Sequence, residues 1–69
     1  MQKVLKIEGM MCMHCVAHVK KALEGVEGVK SVEVSLEKNE AVVELNNDVS
    51  NDIFIKAIDE AGYKVTDIQ

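Results

Sequence analysis

The strongest constraint on the fold is the order in which the spacing of apolar residues switches between two and about 3.6 along the chain. Leu5 and Ile7 alternate with Lys6 and Glu8, which predicts a strand with one buried face over Gln2 to Glu8. From about His14 the residues Cys15, Val16, Val19, Ala22 and Leu23 recur at helical spacing, with Lys20, Lys21 and Glu24 opposite. That is an amphipathic helix of roughly three turns. Gly25 stands where a left-handed C-cap is expected, and with Gly28 it brackets a turn. Val32, Val34 and Leu36 then alternate with Ser31, Glu33, Ser35 and Glu37; beyond Lys38-Asn39 the pattern resumes at Ala41, Val43 and Leu45, predicting a hairpin. Asn46 to Val49 reads as a polar connection. Ser50 is the expected N-cap of a second helix, with Asp52 in its first turn and Phe54, Ala57, Ile58 and Ala61 facing inward, ended by Gly62. A weaker alternation from Tyr63 to Ile68 predicts a final edge strand.

The order β-α-β-β-α-β predicts an α+β, ferredoxin-like sandwich with two helices on one face of a four-stranded antiparallel sheet. At 69 residues there is room for one domain, residues 1–69, and with a single Phe, a single Tyr and no Trp its core must be aliphatic. In this arrangement the last strand pairs antiparallel with the first. The loop leaving strand one and the loop entering strand four then share one end of the sheet, which places Tyr63 beside the residues that follow Gly9.

Charge and cysteine content narrow the functional classes. Twelve acidic against eight basic residues give a net charge of −4, without a Lys/Arg run that could follow a phosphate backbone, so nucleic acid is not the expected partner. Met1-Gln2-Lys3-Val4-Leu5-Lys6 alternates charge with apolar side chains and offers no signal-peptide or membrane-insertion segment, so the expected location is the cytoplasm. The start at Met1 and the absence of a trailing linker favour a free-standing protein. The two cysteines, three positions apart, close too short a loop to staple a fold and are read as thiols in a reducing compartment.

Both cysteines, one of two histidines and three of four methionines fall in Gly9-Met10-Met11-Cys12-Met13-His14-Cys15. A cysteine opening a helix and another three residues earlier can turn their sulfurs toward one point. The helix dipole and unpaired amide N–H groups are expected to lower the Cys15 pKa. Thiolates select soft or borderline ions, and structural zinc almost always takes four protein ligands, whereas Cu(I) is satisfied by two. An under-coordinated dithiolate also admits a third thiolate from a partner before the first one leaves, so transfer is fast without weak binding.

This segment, after a strand and opening a helix, resembles the G-M-x-C-x-x-C motif of the heavy-metal-associated domain family, and the likeness extends over the β-α-β-β-α-β pattern to Ala61-Gly62-Tyr63. The family comprises small bacterial copper chaperones and the N-terminal metal-binding domains of copper-transporting P-type ATPases. The resemblance implies that Cys12 and Cys15 are the metal ligands, that Met10 packs beneath the loop without binding metal, and that Tyr63 stands near the site. It makes His14 a candidate auxiliary ligand when two molecules share copper. Zinc- and cadmium-handling members often carry an Asp where this chain has Met11, which favours Cu(I).

The function so implied is a cytoplasmic copper chaperone that is not an enzyme. It would pass Cu(I) to the metal-binding domain of a copper-transporting P-type ATPase or to a copper-responsive repressor, being monomeric when apo and able to form a copper-bridged homodimer. Alternatives are a mercury-, zinc- or cadmium-binding domain and an excised ATPase domain. A thiol-disulfide redox protein is disfavoured by the short chain and by the lack of any proline. Met11 and Met13 are expected as apolar contacts for a partner, and Lys20, Lys21 and Lys64 read equally as a docking patch near the site or as solvated charges. His18 reads as surface: a four-ligand zinc site of Cys12, Cys15, His14 and His18 is discounted because neighbouring helical positions do not all face one point.

Overall fold

In the computed structural model, which describes all of residues 1–69, the chain forms β1 (Gln2–Glu8), α1 (Met13–Glu24), β2 (Val29–Ser35), β3 (Glu40–Leu45), α2 (Asn51–Glu60) and β4 (Lys64–Ile68). The strands form one antiparallel sheet in the order β2-β3-β1-β4. β1 is an inner strand because both edges of its backbone are paired: Leu5 faces Ala41 of β3 and Ile68 of β4. Its ladder to β4 shifts register between Lys6 and Ile7 and continues past the strand end, where Val4 and Gln69 exchange hydrogen bonds of 2.9 and 2.8 Å.

Both helices lie on the same face, α1 against β2 and α2 against β4, and touch each other. The alternation of the strands decides what they cover. Leu5, Ile7, Val32, Ala41, Val43 and Leu45 meet Val19 and Leu23 of α1 and Phe54 and Ile58 of α2 in one aliphatic core built around a single ring. Phe54, Leu5, Leu23, Ile58, Val19 and Val43 are its largest fully buried side chains, each contributing about 1.5–3 kcal/mol when withdrawn from water. The ferredoxin-like architecture is therefore the observed fold, and its core contains neither cysteine.

Three local expectations are corrected. Gly25 caps α1 in the right-handed region (φ −78°), and the left-handed position falls instead on Gly28 (φ 96°). A Cβ at Gly28 would lie 2.9 Å from Val49 Cγ2, so both the backbone angle and the close approach require glycine there. Val49, expected in a polar connection, is buried in the core. Its carbonyl oxygen accepts from Lys3 Nζ at 2.9 Å, and the same ammonium reaches Asn51 Oδ1 at 2.7 Å, tying β1 to the start of α2. The last strand begins at Lys64 rather than at Tyr63, which belongs to the turn before it. No helix is long and apolar enough to cross a membrane.

Candidate functional site

Where β1 ends, Gly9 takes φ 104°, and a Cβ there would stand 3.4 Å from Tyr63 Cδ1. The backbone thus turns out of the sheet against the Tyr63 ring, using the conformational freedom of glycine. Met10 then dives into the core at 5% exposure, while Met11 and Met13 stand 87% and 69% exposed. Three methionines in four positions have opposite environments: Met10 anchors the loop from beneath, and the other two coat its outer surface.

Cys12 is the N-cap residue of α1, extended in backbone (φ −156°, ψ 174°), with a carbonyl oxygen that accepts from Cys15 N at 3.0 Å and Val16 N at 3.2 Å. Its side chain makes no capping hydrogen bond. The Cys12 sulfur is free to turn toward Cys15, and the two Sγ atoms lie 3.6 Å apart with both thiols reduced. Cys12 is exposed and Cys15 half-buried, so the pair lies on the surface. The shallow clefts of the molecule lie elsewhere, between the helices and along the sheet edges.

The Cys15 thiol is lowered from its ordinary 9.0 to about 7. The largest cause is the Tyr63 hydroxyl, which stabilises the thiolate as a hydrogen-bond donor; the Met11 backbone N–H and the Cys12 thiol act in the same direction against the opposing effect of desolvation. Tyr63 is raised above its usual 10.0 for the reciprocal reason. The backbone N–H groups that lower Cys15 belong to Met11 and Cys12, in the loop just before α1, and the dominant group comes from the far end of the chain. Nothing in the local sequence around Cys15 announces it. The signal was topological, in the pairing of β4 with β1 that brings Glu8 opposite Lys64.

The structure brings Cys12, Cys15, Met10 and Tyr63 together around one loop, and leaves His14 and His18 exposed on α1. No third His, Cys, Asp or Glu side chain stands with the two sulfurs. Lys20 and Lys64 do not gather into one patch either. Lys20 borders a cleft with Ser31 and Glu33 of β2, whereas Lys64 opens β4 on the opposite edge of the sheet. What remains is a pair of converging sulfurs, one of them about half thiolate at neutral pH and the other open to solvent. Chemically that is a donor set for a soft ion with room for an incoming ligand.

Comparison with known proteins agrees with this geometry. The chain is 45% identical over 65 residues to the copper chaperone CopZ of Staphylococcus epidermidis, covering 93% of this chain and 96% of that protein. It is also 50% identical over 60 residues to mercuric reductase of Shewanella putrefaciens, which covers 87% of this chain but only 11% of that much longer protein. Among solved structures, a copper binding domain from a P-type ATPase superposes with a TM-score of 0.88 at 32% identity, covering 100% of this chain and 95% of that one. Residues 4–64 match the model of the heavy-metal-associated domain, and the chain belongs to that family of metal-binding domains.

Proposed function

We propose that the protein is a Cu(I) chaperone in which Cys12 and Cys15 carry the ion as cargo and deliver it to a matching dithiolate on a copper-transporting P-type ATPase. The observation that carries this reading is the exposed sulfur pair, 3.6 Å apart, with no third side chain to complete a cage. With metal–sulfur bonds of about 2.3 Å, as zinc thiolates show, two sulfurs span at most about 4.6 Å. A small rotation of the exposed Cys12 side chain therefore opens the pair to the near-linear geometry that two-coordinate Cu(I) accepts. The same openness lets a partner's thiolate bind before either of the chain's own sulfurs leaves. Met10 holds the loop from the core, Tyr63 favours the Cys15 thiolate and shields one side of it, and Met11 and Met13 offer an apolar collar to the partner. The near full-length likeness to CopZ and the shared shape of an ATPase copper domain support both the cargo and the recipient. A cytoplasmic location and delivery to a copper-responsive repressor fit the same chemistry.

One observation favours a second reading: the mercuric reductase relative is 50% identical to this chain. Hg(II) is also soft and also takes two thiolates, so the dithiolate itself does not separate the two ions. Titration of the reduced apo-protein with Cu(I) against a competing chelator, paired with a matched Hg(II) titration, tests the proposal. Tight Cu(I) binding that disappears in Cys12→Ser is expected. Failure of Cu(I) to compete, with Hg(II) still held, would transfer the protein to mercury handling.

A further inference from the structure

Outside the dithiolate, the chain's two imidazoles, His14 and His18, are both exposed on α1. They are four residues apart, which places the side chains on one helical face with Cβ atoms about 5–6 Å apart. That face points away from the core. The inward stripe of α1 runs through Cys15, Val16, Val19 and Leu23, whereas His14 and His18 are exposed, with exposed Ala17 beside them. The two imidazoles and the cysteine sulfurs do not gather around one point, so the histidines stand as a separate pair.

Neither imidazole takes part in a side-chain hydrogen bond or a salt bridge, so no carboxylate or carbonyl fixes a ring in a competing orientation. Ala17 has no bulk to obstruct an ion held between the rings. Lys21, one turn beyond His18, is also exposed and swings into solvent on a flexible stem. Two histidines at this helical spacing are the pairing that zinc enzymes use to present two imidazoles to one ion.

We propose that His14 and His18 form a second metal site, a bis-imidazole clasp on the solvent face of α1 that takes a divalent borderline ion, with water completing its coordination. The donor sets differ in kind: two thiolates select a soft ion, while two neutral imidazoles suit Ni(II), Cu(II) or Zn(II). This clasp stands or falls independently of which ion the cysteines carry.

The test uses full-length protein with Cys12→Ser and Cys15→Ser, which removes the thiols, after circular dichroism has established that it is folded. Calorimetric titration with Ni(II) alone is expected to give one site per chain, weakened at least about tenfold by His14→Ala and equally by His18→Ala, as loss of one of two ligands demands. A decisive control combines His18→Ala with Lys20→His, which keeps two histidines on α1 but turns them to different sides of the helix. It is expected to stay as weak as His18→Ala. A smaller loss in either single variant, or recovery of affinity in the control, would overturn the clasp and leave only independent histidines.

Discussion

The two helices of this protein begin in opposite ways. α2 starts on Ser50, whose hydroxyl accepts from the Asp52 amide at 3.4 Å, and Asp52 adds a favourable charge in the first turn. α1 starts on Cys12, with no side-chain cap and no acidic residue in its first turn. One helix end is closed for stability; the other is left uncapped, and the Tyr63 hydroxyl and the Met11 and Cys12 amides beside it act on the Cys15 sulfur. The lesson is that the site occupies a part of the fold on which the core does not depend. Gly9 and Met10 carry the loop out of and back into the core, while Cys12 touches solvent.

The largest test of that contrast sets Phe54→Ala against Cys12→Ser. Removing the one buried ring from α2 is expected to cost about 3–5 kcal/mol in urea unfolding. Cys12→Ser should leave the unfolding midpoint unchanged or slightly raised, because serine supplies the missing cap, while abolishing tight binding of the soft ion. A stability loss of the Phe54→Ala size in Cys12→Ser would break the separation. Next in size is the cap itself: Ser50→Ala should destabilise by about 1 kcal/mol without altering metal affinity.

A third measurement addresses Cys15. The apo-protein should alkylate at a rate that rises through about pH 7, the point at which Cys15 is half thiolate. Tyr63→Phe removes the largest lowering influence, so the midpoint should move upward toward 9.0, with the fold intact by circular dichroism. An unmoved midpoint would assign the activation to the Met11 and Cys12 groups instead. The smallest effect concerns Glu40, whose carboxyl the Lys6 ammonium holds below its ordinary 4.5. A lowered folded pKa means that the ion pair stabilises above the ordinary carboxylate range and that this is lost as the pH falls through the lower, folded value. Wild-type and Glu40→Gln urea midpoints should therefore differ slightly at neutral pH and converge in acid.

The alternation of Leu5 and Ile7, the helical recurrence through Val19 and Leu23, and the hairpin pattern around Lys38-Asn39 made the β-α-β-β-α-β order legible, because each reports a local period that the backbone must obey. The motif was legible for the same reason, since its residues are neighbours in the chain. Val49 was not: one apolar residue in a polar run has no period, and only the approach of Gly28 gives it a place in the core. The reading of Gly25 failed because a glycine after a helix signals permission for a left-handed angle rather than a requirement for it.

The amino-acid order by itself determined the elements, the two sulfurs and their position at a helix start. Tertiary structure alone decided that Tyr63 rather than the helix end is the main influence on Cys15, that Val49 belongs to the core, and that Lys20 and Lys64 lie toward opposite sheet edges. The physical reason is range. Periodicity and motif spacing act over a few residues, whereas desolvation and hydrogen bonding to a thiolate depend on what the sheet brings across from the other end of the chain.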